Sequence, residues 1–203
     1  MAGEDSSGDA STRWVETSRG ILRYAELAPL LAERVIRVQE SIEAGGFVDA
    51  ALDGELLCRL HRDFCGDLTP DWAGQWRKIQ VQVGAHQPPP PHEVALQMRE
   101  YALDLEARLE SASDLKSLPE TLGFAEGRLL TIHPFADFNG RVTRLWLWEL
   151  LRRLQLPPVE LAPTHRATTE QYLAALRSAD RSDFAPLAEI WRQRLEGCSS
   201  EPF

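Results

Sequence analysis

Apolar side chains recur every three or four residues along most of this chain, which is the spacing of helices with one buried face. The first such run, 25–44, ends at paired glycines, and the second, 53–64, begins at an aspartate suited to capping a helix. Five more runs with this spacing occupy residues 94–109, 122–132, 141–154, 168–179 and 185–195. The pattern therefore predicts a mostly α-helical bundle of about seven helices.

The predicted helix 141–154 is apolar nearly all round, whereas the others carry one apolar face. A helix without a polar face must be surrounded by other elements, so this one is predicted to form the centre of the bundle. Trp146 and Trp148 are accordingly predicted to pack in the core.

The segment 72–92 breaks the helical pattern. It contains two short strand-like pieces followed by four prolines, which helix interiors and central strands exclude. We predict one small β-hairpin that leads into an extended turn, with a plain surface connector as the alternative.

Composition divides the chain as follows. Residues 1–11 are small and acidic without apolar periodicity and are predicted to be disordered. We predict an N-terminal helical extension over 12–52, a core domain over 53–197 and a tail over 198–203. With 203 residues, of which 43% are hydrophobic, the chain suits one globular core.

A formal net charge of -9 argues against nucleic acid or an anionic membrane as the partner. The three cysteines show no metal-ligand spacing, which favours a reducing compartment. No stretch has the length of a membrane span or the pattern of a signal peptide. We therefore expect a cytoplasmic protein, with delivery into a host cell and assembly into a homo-oligomer left open.

Chemistry-bearing residues concentrate between His133 and Arg144, where a proline separates two predicted helices. Backbone N–H groups at a helix start have no helical partner and attract anions, and Asn139-Gly140 allows a ligand to come close. Arg141 and Arg144 are three residues apart, so both guanidinium groups can reach one polyphosphate.

Two further residues of this stretch can supply reactivity. Asp137 can hold a Mg²⁺ ion that bridges phosphate oxygens, and His133 can take a proton from an attacking hydroxyl. The stretch thus predicts metal-assisted nucleotide chemistry. In the structural alternative, His133 ends one helix, Asp137 caps the next, and the two arginines pair with acids such as Glu149.

The stretch resembles the signature of Fic-domain proteins: histidine, proline, phenylalanine, any residue, an acid, glycine, asparagine, glycine, arginine, two variable residues and arginine. Every functional position matches except Phe138, where the family usually has glycine. The resemblance implies a Fic-like helical bundle that transfers AMP from ATP to a hydroxyl side chain of a target protein. It implies His133 as general base, Asp137 as Mg²⁺ ligand, Asn139 and Gly140 in the anion-binding loop, and Arg141 and Arg144 on the β- and γ-phosphates.

The segment before the prolines also resembles the family, on Gly74, Arg77, Val81, Val83, Gly84, Pro88 and Pro89. In the family this hairpin is a flap over the active site, along which an extended target segment pairs. The resemblance implies a target-binding flap formed by Lys78, Ile79, Gln80, Val81, Gln82 and Val83.

Many Fic proteins carry an inhibitory helix whose glutamate pairs with the second arginine of the motif. This chain offers Thr12 followed four residues later by Glu16, although Thr17 stands where the pattern has glycine or asparagine. Glu196 is the second candidate. The resemblance therefore predicts an N-terminal inhibitory helix that contains Glu16.

Three other functions stay open. The transferred group could be another nucleotide, phosphate or phosphocholine, and the reaction could be removal of AMP by hydrolysis. A catalytically weak nucleotide-binding module is the third, because Phe138 would be strained if its position requires a positive φ.

Overall fold

The computed structural model describes residues 13–112 and 117–198, and these contain seven α-helices. The helices are α1 (Tyr24–Glu43), α2 (Gly54–Cys65), α3 (Val94–Ser111), α4 (Leu118–Ile132), α5 (Asn139–Arg153), α6 (Arg166–Ala179) and α7 (Ala185–Cys198). A short 3₁₀ turn, Pro91–Glu93, precedes α3. The prediction of a mostly α-helical bundle is confirmed. The predicted disorder of residues 1–11 lies outside the described residues.

Local chemistry explains where two of these helices begin. The carboxylate of Asp53 accepts hydrogen bonds from the N–H groups of Glu55 at 2.9 Å and Leu56 at 3.1 Å, which caps the start of α2. Pro119 occupies the first turn of α4, where a missing N–H costs nothing. Both signals were available in the sequence.

Helix α5 lies at the centre of the bundle and contacts α1, α2 and α4. Trp146 is fully buried, and its indole N–H donates to the Tyr101 hydroxyl at 2.9 Å. The prediction that α5 is the central helix and that Trp146 packs in the core is therefore correct. Trp148 is half-buried against the same core.

Helices α4 and α7 pack so closely that one glycine is required between them. A Cβ atom at Gly123 would lie 2.7 Å from the backbone nitrogen of Ala188. Below this contact the buried carboxylate of Glu126 accepts from the Tyr172 hydroxyl at 2.6 Å and from the Trp191 indole at 2.8 Å. Helices α6 and α7 are thereby fixed to the helix that leads into the His133 loop.

The predicted small hairpin exists, but it lies elsewhere in the chain. Strands β1 (Trp14–Thr17) and β2 (Gly20–Arg23) pair antiparallel and form the two-stranded sheet of the described residues. Along β1 the side chains alternate, with Val15 buried and its two neighbours exposed. The prediction of an inhibitory helix containing Glu16 is therefore wrong, because this alternation buries one face of a strand and the turn at Gly20 reverses the chain.

The predicted hairpin at 72–92 is not a pair of strands. One isolated bridge between Val83 and His86 closes a tight turn. Its carbonyls are bound by side chains: the Gln80 amide donates to Pro88 O at 2.9 Å, and the Gln82 amide donates to the carbonyls of Gly84 and His86. Side-chain donors therefore replace the ladder that a second strand would supply.

Within the described ranges, each helix is too short or too polar to cross a lipid bilayer.

Candidate active site

Helices α4 and α5 meet in a buried loop, and both ends of that loop have left-handed backbone. His133 follows α4 with φ 50°, and Phe138 precedes α5 with φ 64°. A non-glycine residue in this region costs on the order of 1–3 kcal/mol and persists where its surroundings enforce it. Strain of this kind gathers at functional sites, and here it brackets the stretch that the sequence singled out.

The ring of Phe138 explains how the chain tolerates an aromatic residue at a left-handed position. Phe138 is 2% exposed, and its ring packs edge-on against Phe64 at 5.8 Å and tilted against Trp72 at 5.5 Å between ring centroids. Burial of an aromatic ring contributes more than the backbone strain costs. The ring is therefore held in the core beneath the loop.

Asn139 shapes the loop with its side chain. Its amide oxygen accepts from the N–H of Phe135 at 2.9 Å, and its amide nitrogen donates to the carbonyl of Phe135 at 3.0 Å. Because both ends of the amide are engaged, the part of Asn139 left for an anion is its backbone N–H. The first intrahelical bond of α5 runs from Arg141 N to Phe138 O, so the N–H groups of Asn139 and Gly140 precede it.

The imidazole of His133 is oriented by the helix that it terminates. His133 is 7% exposed, and its Nδ1 lies 3.3 Å from the carbonyl oxygen of Leu130. A carbonyl can only accept, so Nδ1 carries the ring proton and Nε2 is the acceptor of the ring. This tautomer is the one that a general base requires.

The carboxylate of Asp137 has both oxygens engaged. Oδ1 accepts from the N–H of Phe138 at 2.5 Å, and Oδ2 forms an ion pair with Arg13. The described residues contain no cluster of three or more His, Cys, Asp or Glu side chains able to hold a metal. A single carboxylate suits Mg²⁺ when phosphate oxygens and water complete the shell, so Asp137 fits a metal that arrives with a nucleotide.

Arg141 lies on the first turn of α5, and Arg144 follows three residues later on the second turn. Arg141 donates to the hydroxyl of Tyr24, and its guanidinium carbon lies 5.3 Å from the Tyr24 ring centroid. Burial lowers the pKa of Arg144, and the nearby guanidinium of Arg141 lowers that pKa further. Two adjacent cations form a strong attraction for a polyanion.

The structural alternative for these arginines is not observed. Glu149 is fully buried and is bound by Arg152 at 2.8 Å and Arg153 at 2.6 Å. Within residues 13–112 and 117–198, no ion pair joins Arg144 to a carboxylate. Asp137 also does not cap α5, because Phe138 holds the N-cap position.

His61 supports the loop from the core. Its Nδ1 accepts from the N–H of Gly74 at 2.9 Å, so Nε2 carries the proton and lies 3.2 Å from the carbonyl oxygen of Asp137. The ring stacks on Phe135 with 3.9 Å between centroids. Burial lowers the pKa of His61 to about 3, which keeps the ring neutral. His61 is thus a structural link between Gly74 and the active-site loop.

Arg77 fastens the predicted flap to the same loop. Its Nε donates to the carbonyl of His133 at 2.8 Å and its Nη2 to Pro89 O at 2.6 Å, while its backbone N–H donates to Pro134 O at 2.9 Å. Arg77 is 3% exposed, and burial lowers its pKa. A buried cation at the C-terminal end of α4 also complements the helix dipole.

The residues predicted to bind a target fall into two groups. Lys78 and Ile79 line a cleft of about 330 Å³ together with Asp137 and the strand residues Trp14 and Glu16. The others extend along the turn: Gln80 and Gln82 are exposed, Val81 is buried and Val83 is half-buried. The structure thus brings the start of the flap beside the active-site loop.

The two inhibitory candidates lie on different elements, Glu16 on β1 and Glu196 on α7. Glu16 is exposed on β1, and in the described part of the chain it forms no ion pair with Arg144. Glu196 is exposed on α7.

Sequence reasoning missed Arg13, Tyr24 and His61, and it named Arg77 only as part of the resemblance of the flap segment, without its contacts. Each acts through a contact with a residue distant in the chain, and local patterns carry no trace of such contacts. The alternation of β1 was the one usable signal, because it would have placed Arg13 at the base of a hairpin.

Comparison with known proteins agrees with this geometry. Residues 51–151 match the Fic/DOC family. Two proteins named protein adenylyltransferase Fic, from Drosophila grimshawi and Culex quinquefasciatus, are each 35% identical over 134 residues, which are 66% of this chain and 26% of each relative. The chain therefore spans about a quarter of the length of these curated relatives.

Solved structures share the fold across nearly the whole chain. The N-terminal FIC domain of Bep8, a VirB-translocated effector from Bartonella sp. 1-1C, has a TM-score of 0.76 with 11% identity and covers 93% of both chains. BepC from Bartonella tribocorum, solved with bound AMPPNP, has a TM-score of 0.71 with 13% identity and covers 90% of this chain and 92% of its own. At these identities the similarity establishes the fold alone.

Proposed function

Residues 51–151 of this chain belong to the Fic/DOC family, and on that premise we propose that the protein is an adenylyltransferase that modifies other proteins. The hydroxyl oxygen of a serine, threonine or tyrosine bonds to the α-phosphorus of ATP. The bond from that phosphorus to the bridging oxygen breaks, and pyrophosphate leaves.

His133 is the general base of this reaction. The carbonyl of Leu130 holds the proton on Nδ1, so Nε2 accepts the proton of the attacking hydroxyl. The left-handed backbone at His133 fixes the direction of the ring relative to the loop. A positioned base of this kind contributes roughly 10²–10⁴-fold to a rate.

The observation that carries the proposal is Arg144. It is a half-buried guanidinium beside a second one, Arg141, at the start of a helix, and no described carboxylate neutralises it by an ion pair. The N–H groups of Asn139 and Gly140 face the same helix start. Together these groups hold the β- and γ-phosphates so that the α-phosphorus faces the base.

Mg²⁺, when bound with ATP, neutralises phosphate oxygens and stabilises the leaving pyrophosphate. Asp137 is the side chain that would hold it. The target segment docks along the flap at Lys78–Val83, because pairing between main chains tolerates many target sequences.

Labelled ATP tests this proposal directly. Purified protein with Mg²⁺ and cell lysate receives ATP labelled on either the α- or the γ-phosphorus. Transfer of the α-label alone identifies AMP as the transferred group, whereas transfer of the γ-label identifies phosphate. His133→Ala is expected to lower labelling at least about 100-fold, and His92→Ala, an exposed histidine outside the site, serves as the matched control.

If His133→Ala labels proteins at the wild-type rate, His133 is not the general base. Calorimetry with ATP separates the other functions: binding without turnover supports a nucleotide-binding module, and loss of AMP from pre-modified protein supports hydrolysis. The module is less well supported, because the Phe138 ring lies in the core.

We also propose a cytoplasmic location, because Cys58 and Cys65 are free thiols. Cell fractionation tests this, and recovery from a host cell would instead indicate delivery. The negative net charge of -9 supports protein partners over nucleic acid, and size-exclusion chromatography tests for a homo-oligomer.

A further inference from the structure

We propose that Arg13, at the base of the N-terminal hairpin, competes with Mg²⁺ for the carboxylate of Asp137 and closes the nucleotide site until a Mg²⁺-bound nucleotide displaces the Arg13 side chain. This inference rests on the proposed function, since it takes Asp137 as the metal ligand. It differs from the predicted inhibitory helix in both the residue and the group that it blocks.

Each carboxylate oxygen of Asp137 already has a protein partner where a metal would bind. Oδ1 accepts the N–H of Phe138, which forms part of the loop, and Oδ2 is bound by Arg13. The side chains of Arg13 and Asp137 are only 19% and 7% exposed, so water screens the pair weakly. Since the Phe138 contact belongs to the loop itself, Arg13 is the partner that a cation must replace.

Tyr24 extends the same closure to the phosphate site. Its hydroxyl accepts a hydrogen bond from Arg141, and its ring lies 5.3 Å from the guanidinium carbons of both Arg13 and Arg141. The backbone N–H of Tyr24 donates to the carbonyl of Arg13 at 2.7 Å, which places the two residues side by side at the base of the hairpin. One end of the hairpin thus engages a metal ligand and a phosphate ligand together.

The opposite end of the hairpin is anchored to the core. Ser18 donates from its backbone N–H to Leu68 O at 2.7 Å and from its hydroxyl to Asp67 O at 2.6 Å. Asp67 is in turn held by Arg34. Because the turn is fixed independently of the base, Arg13 can leave Asp137 without unfolding of the hairpin.

The donor set indicates what displaces Arg13. One carboxylate is a poor site for Mg²⁺ alone, whereas phosphate oxygens complete its shell. The same phosphates compensate Arg141 for the hydrogen bond to Tyr24. The nucleotide and the metal therefore open the site together.

Calorimetry with the ATP analogue AMPPNP tests the competition. In the presence of Mg²⁺, Arg13→Gln is expected to bind AMPPNP about tenfold more tightly than the wild type, because it has no charge-assisted pair to break. Arg19→Gln, an exposed arginine in the turn of the same hairpin, changes the net charge equally and is expected to bind as the wild type does. With AMPPNP in EDTA, where no metal competes for Asp137, Arg13→Gln is expected to bind no more tightly than the wild type.

Weaker or unchanged binding by Arg13→Gln would overturn the proposal, since a cation that merely assists the phosphates lowers affinity when removed. Absence of Mg²⁺-dependent binding in every variant would overturn it too. The proposed enzyme activity is tested separately. If Arg13→Gln binds AMPPNP more tightly in Mg²⁺ but transfers no α-label, the competition between Arg13 and Mg²⁺ stands and the proposed adenylyl transfer is wrong.

Discussion

Two regions use the same kind of bond in opposite surroundings: the active-site loop at 133–138 with Asn139 beside it, and the segment 77–90, which contains the flap. In both, polar side chains bind backbone groups in place of regular secondary structure. In the loop, Asn139 is 1% exposed, whereas Gln80 and Gln82 of the flap lie at the surface. A buried polar group that loses its partner costs the full free energy of desolvation, whereas an exposed group forms a hydrogen bond with water instead. Burial therefore decides which of these bonds the fold depends on.

The largest expected effect comes from removing an equivalent bond in each region. Asn139→Ala leaves the N–H and the carbonyl of Phe135 without partners and should lower the free energy of unfolding by about 4 kcal/mol. Gln82→Ala removes an amide of similar chemistry and should cost less than about 0.5 kcal/mol. Urea denaturation of both variants measures the difference, and equal losses would show that burial is not the deciding variable.

A smaller effect is expected at Phe138, where the loop relies on packing. Phe138→Gly removes a ring that packs on Phe64 and Trp72, which costs about 4 kcal/mol, and relieves the left-handed backbone by about 1 kcal/mol. The net loss should be about 3 kcal/mol in urea denaturation. Because the ring lies in the core, AMP transfer measured well below the melting temperature should not rise. A more stable glycine variant would show that strain outweighs packing here.

The smallest effect concerns His61, which joins Gly74 at the base of the flap to Asp137 in the loop. Its pKa is about 3 in the folded protein and about 6.5 when unfolded, so between these values the unfolded state binds more protons. Its contribution is complete above pH 6.5 and is lost as the pH falls, by about 1.4 kcal/mol at pH 5.5. Unfolding free energies at pH 7.5 and 5.5 should show this loss in the wild type.

His61→Gln shows how much of this pH dependence of the unfolding free energy belongs to the imidazole. It should be less stable than the wild type at pH 7.5, but it should lack the part of the pH dependence that belongs to the imidazole. An identical slope in both proteins would mean that His61 is protonated in the folded state or that other groups set the acid limit.

The same contrast explains what the sequence could predict. Helical periodicity located all seven helices of the described residues to within a few positions, because it reflects one buried face. The residues from His133 to Arg144 were recognisable because their chemistry is concentrated in one short stretch. The resemblance also marked Phe138 as strained if its position requires a positive φ, and the observed φ is 64°.

The hairpin was misplaced for a physical reason. Alternation in the segment 72–92 suggested strands, yet Arg77 binds carbonyls of the segment and of the His133 loop directly. Meanwhile the four residues of β1 are too few to dominate a pattern, and their pairing with β2 depends on a turn at Gly20. In both cases the partners of the backbone groups, which periodicity does not reveal, decided the structure.

The contacts of Arg77 bear on how the sequence of the flap can change in evolution. Arg77 fixes the path of the flap from the buried side, together with the side-chain amides of Gln80 and Gln82, whereas Lys78 and Ile79 are exposed. Substitutions at Lys78 or Ile79 can accumulate over generations while the backbone keeps its place beside His133. Under the proposed function, lineages that retain Arg77 would therefore diverge in which proteins they recognise without having to evolve a new scaffold.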